Sequence, residues 1–118
     1  MNIFKFAAKD KTEVQHNCHD GTGSILFREV FGKSDFVSKL NHVHETIIHP
    51  HSTIGYHKNT GNEEIYYIIS GEGVMKIDDE EHMVRPGDAT IVHGGSSHGL
   101  QNNSDKEMKI LVIECNYN

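Results

Sequence analysis

The sequence predicts an all-β sandwich or barrel. Helical periodicity of apolar residues is nearly absent. Apolar residues gather instead in short runs rich in valine, isoleucine, tyrosine and phenylalanine. Glycine, proline, asparagine or aspartate cuts these runs about every eight to twelve residues, the rhythm of an antiparallel β domain.

Taken in order, residues 1–23 read as an N-terminal arm or edge segment. Within it, Lys5 to Gln15 fits an arm, an edge strand or a turn of helix. Residues 24–118 read as a single barrel domain without repeats or linkers. Ser24 to Phe31 is the first strong run, and Gly32 to Asp35 breaks it. Leu40 to Ile48 is the second, closed by Pro50. Ile54 to His57 is short, and Glu64 to Ser70 (EIYYIIS) is the clearest strand. Gly71-Glu72-Gly73 turns the chain back into Val74 to Ile77, and Asp78-Asp79 turns it again into His82 to Arg85. Pro86-Gly87-Asp88 has proline and glycine where a tight turn wants them. Ala89 to His93, His98 to Gln101 and Met108 to Glu114 complete about nine strands.

The totals narrow the function classes. The chain has 118 residues and a formal net charge of −6, with no basic stripe, so a nucleic-acid partner is not expected. No apolar run is long enough to form a spanning helix, and no membrane partner is expected. The first residues turn charged before a signal-peptide core forms, which predicts a cytoplasmic protein with its two cysteines, Cys18 and Cys115, as free thiols. Ten histidines are an unusual number and point to metal or proton chemistry.

Strand alternation singles out a constellation. If His57 faces inward, so do Gly55 and Asn59; if Glu64 does, so do Tyr66 and Ile68. The loop between His57 and Glu64 lets a hairpin bring the two together. His98, after the glycine loop Gly94-Gly95-Ser96-Ser97, supplies a third group. Two histidines and one carboxylate can hold one face of an octahedral ion and leave the other open.

At these residues the sequence resembles the cupins, small barrels of the double-stranded β-helix or jelly-roll type. The first cupin motif carries His-x-His, three or four residues, glutamate, six residues, glycine. Here it reads His57-Lys58-Asn59, four residues, Glu64, six residues, Gly71. The second motif reads Gly87, His93 where proline is usual, Gly95, His98 and Asn102. Arg85 to Val92 (RPGDATIV) is also typical of these proteins. The resemblance implies a jelly-roll fold and a divalent metal (iron, manganese, nickel or zinc) held by His57, Asn59, Glu64 and His98. Asn59 stands where a second histidine is usual, and an asparagine carbonyl is a hard ligand that suits manganese, magnesium or calcium better than zinc or copper. The resemblance further implies a metal-dependent dioxygenase, isomerase, decarboxylase or lyase acting on a small carboxylate or sugar. The alternative is a small-molecule-binding module without turnover.

Tyr66 shares the parity of Glu64, and His44 lies on the strand before the first motif; both are candidate acids or bases. The pairs His42-x-His44 and His49-x-His51 fail the spacing test, because no glutamate follows at the required distance. His51 remains a substitute for the missing ligand. His16 and His19 could seed a zinc site, but no partner pair follows. His93 is expected to be structural and His82 to lie on a solvated face. A homodimer is expected, with Ser24 to Phe31 covering a sheet edge or apolar face.

Overall fold

The computed structural model describes residues 2–7 and 12–118. Ten strands form two antiparallel sheets. They are β1 (Glu13–His16), β2 (Ser24–Phe31), β3 (Leu40–Ile48), β4 (Ser52–Lys58), β5 (Asn62–Ser70), β6 (Gly73–Ile77), β7 (Glu80–Val84), β8 (Ala89–Val92), β9 (Ser97–Asn102) and β10 (Met108–Asn116). The six-stranded sheet runs β1-β2-β3-β10-β5-β8, and the four-stranded sheet runs β4-β9-β6-β7. The two face each other as a jelly-roll barrel. The described residues contain no helix long and apolar enough to cross a membrane.

The sequence reading has no firm strand before Ser24. In the structure, β1 pairs with β2 in register from Glu13 opposite Phe27 to His16 opposite Ser24. Ser24 to Phe31 therefore lies inside the sheet between β1 and β3, and it leaves no free edge for a partner. A tight turn over Cys18–Asp20 links β1 to β2, with Asn17, His19 and Asp20 all in the left-handed region. Both cysteines are free.

Side chains of one pleat face alternate along each strand, so inward residues of neighbouring strands fall into rows across the sheet. At one end of the barrel, His42 on β3 sits opposite Glu114 on β10, and Glu114 opposite Glu64 on β5. The next row holds His44, Val112, Tyr66 and Thr90. Below it come Thr46, Ile110 and Ile68, then Ile48 and Met108. The facing sheet repeats the gradient, with His57 opposite His98, then Ile54, Leu100 and Met75, then Ser52 opposite Asn102. The barrel is thus polar at its mouth and apolar in its middle, and the buried Ser52–Asn102 pair closes the four-stranded side below. Ile48, Ile68, Leu100, Met108 and Ile110 are essentially inaccessible in the apolar part. Each such side chain stabilises the fold by about 2–3 kcal/mol on leaving water.

Two local devices shape the mouth. Between Ile54, opposite Leu100, and His57, opposite His98, β4 carries one residue more than β9. This bulge shifts the parity of the strand, so buried Ile54 is followed by outward Tyr56 and then by His57 beside His98. Strict alternation counted back from His57 fails at this point. The second device is Gly55. A Cβ there would lie 2.0 Å from the His19 carbonyl oxygen and 2.6 Å from the Gly21 nitrogen. Only glycine lets the Cys18–Asp20 turn rest on β4.

The turns carry the expected chemistry. Arg85-Pro86-Gly87-Asp88 closes with Asp88 N–H donating to the Arg85 carbonyl at 2.9 Å, with Gly87 at φ +92°.

Candidate functional site

Glu64 is the hub of the mouth. Its Oε1 lies 2.9 Å from His98 Nε2, and its Oε2 lies 3.6 Å from His42 Nε2. His57, Glu64 and His98 each offer a ligand atom within 4.8 Å of the other two. The three come from β4, β5 and β9, and the bulge, the strand pairing and burial fix their directions.

The hydrogen bonds choose the ligand atoms. His57 Nδ1 lies 2.8 Å from the Gly55 carbonyl, which can only accept, so Nδ1 carries the proton and Nε2 keeps a lone pair. His98 is wholly buried, and neither of its ring nitrogens makes a hydrogen bond of acceptable geometry. Its approach to Glu64 is close but misdirected for one. A buried ring nitrogen left without a hydrogen bond, as Nδ1 is here, is unfavourable by about 1–3 kcal/mol unless something else engages the ring. Two imidazole nitrogens and a carboxylate oxygen fit a divalent transition-metal ion. Asn59, two residues after His57, is buried. Its backbone bonds Ser96 and Gly95, while its side-chain Nδ2 has no partner. Turned over, the same amide would present its carbonyl oxygen in that place.

The electrostatics agree. Burial would push the Glu64 carboxyl up, but the imidazoles of His42 and His98 beside it outweigh burial and hold it at about 2. Burial lowers the pKa of His57, and neighbouring His19 and His98 lower it further, against the Gly55 carbonyl. Burial also lowers His44, helped by His42. Both rings therefore favour the neutral form that binds metal or accepts a proton. Tyr66 moves the other way. Burial and then the Glu64 charge raise its pKa well above 10, so it stays protonated.

A cavity of about 160 Å³ opens beside this site and reaches it at Glu64. Glu64, His42, His44, Tyr66, Cys18 and His19 are among its walls. Tyr66 also stacks on His98 with ring centroids 4.6 Å apart. A larger depression of about 260 Å³ lies elsewhere, on the outer face of the four-stranded sheet around Thr53, Lys76 and Gln101, and none of His57, Asn59, Glu64 and His98 lines it.

Two histidines set aside at the sequence level belong here. His42 stacks on His44 at 4.0 Å and reaches Glu114 Oε2 through Nδ1 at 3.2 Å. Its parity with His44 was the available signal. His19 stacks on His57 at 3.6 Å. No spacing rule points to it, because the left-handed turn and Gly55 put it there. His51 is not a substitute ligand. It pairs with exposed Asp105 at 2.7 Å, at the far end of β4 from His57. His16 and His19 form no shared metal-ligating group among the described residues. His93 and His82 are exposed beside Glu63 and Glu80.

Comparison with known proteins places these features. The chain is 28% identical over 97 residues to an oxalate-binding protein of Thermotoga maritima, covering 82% of this chain and 80% of that one. It is 33% identical over 95 residues to an uncharacterised protein of Methanocaldococcus jannaschii, covering 80% and 74%. A crystal structure from Thermotoga maritima, described as a predicted oxalate decarboxylase, superposes with a TM-score of 0.92 at 24% identity, over 97% of this chain and 99% of that one. The polyketide cyclase RemF of Streptomyces resistomycificus superposes at 0.79 with 17% identity, over 100% and 87%. The model of the cupin domain family Cupin_2 matches residues 44–114, from the pocket strand β3 to Glu114. The chain belongs to the cupin domain family.

Proposed function

We propose that this cupin binds a divalent cation through His57, Glu64 and His98, with Asn59 as a weak fourth neighbour, and uses it to hold a small carboxylate in the mouth. One observation carries the reading: His98 is fully buried with no partner at Nδ1 and only a misdirected approach to Glu64 at Nε2, beside the ionised glutamate and the free lone pair of His57. The cavity of about 160 Å³ is smaller than a typical drug-sized pocket and suits a molecule of few heavy atoms. The oxalate-binding relative supports a small dicarboxylate as the ligand class.

A bound divalent ion would act as a Lewis acid on the ligand oxygens. The chain's own residues do the rest. Protonated Tyr66 donates a hydrogen bond or proton from the cavity wall. Neutral His44, stacked on His42, accepts a proton from the other side. His19 and the turn that carries it cover His57 from solvent. Asn59 favours the second reading, a binding module without turnover, because a weaker ligand set holds the ion less firmly through a reaction.

The test is elemental analysis of protein prepared without metal-affinity capture, beside a His98→Ala variant. The expected result is a near-stoichiometric metal that the variant loses. Absence of metal from both, with none taken up on adding iron or manganese, would sink the reading. Calorimetry with oxalate on the loaded protein, followed by a turnover assay, then separates an enzyme from a binding module.

A second copy of the chain is the partner proposed for the outer face of the six-stranded sheet. There Tyr67, Ile69 and Ile91 are 41–45% exposed on neighbouring strands. A monomer in gel filtration at micromolar concentration would count against the homodimer.

A further inference from the structure

The row His42, Glu114, Glu64 has an arrangement that the ligand set around His98 does not use. These residues stand side by side on β3, β10 and β5. One ligand atom from each lies within 4.8 Å of the others. Glu64 serves the two groups with opposite oxygens, Oε1 toward His98 and Oε2 toward His42. A carboxylate has lone pairs enough to serve both.

Charge points the same way. The side chains of Glu64 and Glu114 are 10% and 13% exposed. Among the described residues, no lysine or arginine lies within ion-pair distance of either. Two mostly desolvated carboxylates with only imidazoles beside them call for positive charge. Asn41 Nδ2 donates to Glu114 Oε2 at 2.5 Å and holds that carboxylate in place, as outer-shell partners of metal ligands do. The register of β10 against β3 shifts immediately after Glu114, a device common beside active sites. The cavity opens on His42 and Glu64, so an ion there would be reachable from solvent.

We infer that the mouth holds a second divalent-cation position, made by His42, Glu114 and the Oε2 edge of Glu64, so that Glu64 bridges two ions. Its donors are one nitrogen and two carboxylate oxygens. That set is harder than the one around His98 and suits manganese or ferrous iron. Two divalent ions against two carboxylates leave two positive charges, which match a dicarboxylate dianion. The position shares Glu64 with the site proposed above, but it does not require that site to be filled.

The test titrates Mn²⁺ into chelator-treated protein and counts bound ions by calorimetry and by the Mn²⁺ resonance spectrum. Wild type is expected to bind two equivalents, with a spectrum broadened by coupling between the ions. Glu114→Gln keeps the shape and the Asn41 contact, and should bind one equivalent with an uncoupled six-line signal. His42→Gln should do the same, which guards against a folding failure in either variant. His98→Ala should also bind one, at the remaining position. The inference is overturned if Glu114→Gln and His42→Gln bind as many ions as wild type. It is equally overturned if wild type binds a single ion that is lost alike in Glu114→Gln and His98→Ala, since one ion would then draw on both groups. A single ion removed by Glu114→Gln but spared by His98→Ala would uphold the position inferred here and sink the one at His98.

Discussion

His98 and Asn102 lie four residues apart on β9, and both are completely buried, yet their surroundings are opposite. Asn102 sits near the closed end of the barrel with its hydrogen bonds satisfied. Its Nδ2 donates to the carbonyls of Ile48, His49 and Lys106, and its Oδ1 accepts from the Ser104 backbone and hydroxyl. His98 sits at the mouth with neither ring nitrogen hydrogen-bonded. The same strand and the same burial thus serve two ends. The asparagine ties three segments of chain together and closes the floor. The histidine is held against Glu64 with Nδ1 unbonded and Nε2 poorly aligned. Both belong to the second cupin motif, so one short sequence pattern combines a structural residue with a residue of the proposed ligand set.

The contrast can be broken by substitution. The largest stability effect is expected at the floor. Asn102→Ala removes its donations to three backbone carbonyls and the two hydrogen bonds it accepts from Ser104, and should lower stability by about 3 kcal/mol, on the order of 10 °C in melting temperature. A loss well under 1 kcal/mol would show that water replaces the side chain there. At Gly55, alanine would push the Cys18–Asp20 turn off β4. Gly55→Ala should lose about 1–3 kcal/mol as an overpacked contact. It should also speed amide exchange in residues 17–22 before any other segment. Uniform exchange would mean that the turn is not seated on that glycine.

His98→Leu tests the other half of the comparison. In metal-free protein it removes a buried imidazole that is poorly bonded, but it also takes a neighbour from the buried Glu64 carboxylate, so the two effects should offset to within about 1 kcal/mol while metal uptake is abolished. A large loss in the metal-free state would mean that the contact with Glu64 already satisfies His98 without an ion.

The smallest effect expected is the pH dependence. Burial holds His44 and His57 below the usual 6.5, so as pH falls the unfolded chain takes up protons that the folded chain refuses. The stability this represents is present above pH 6.5 and is lost as pH falls through the two folded-state values. Urea midpoints of metal-free protein should therefore drop below pH 6.5. A His44→Gln, His57→Gln double variant should flatten that slope, and an unchanged slope would place the acid sensitivity elsewhere.

The strands were legible because turn residues punctuate them and because each carries β-branched or aromatic side chains. Glu13 to His16 was not, since it is short, exposed and polar, and it exists only by pairing with β2. His57, Glu64 and His98 were legible through motif spacing, which encodes a hairpin and a return strand. His42 and Glu114 were not, because their meeting depends on β3 and β10 pairing across most of the chain. The alternation that placed His44 inward also placed His42 inward, so that half of the signal was present. The parity shift in β4 leaves no mark that spacing can detect, although Gly55 stands inside it and Gly99, whose added Cβ would lie 3.0 Å from Tyr56, stands opposite.

That extra residue in β4 gives the strand slack where it passes beneath another segment. Removing one of the two residues between Ile54 and His57 would restore plain alternation, two steps on β4 against two on β9, so Ile54 and His57 would both still face inward opposite Leu100 and His98. What such a shortening takes away is the side-chain-free stretch at Gly55 on which the Cys18–Asp20 turn rests. His19 would lose its seat over His57, while His57 would keep its place beside His98. The bulge therefore docks the N-terminal turn onto the barrel, and the lining of the mouth can change there without a change in the strands that frame it.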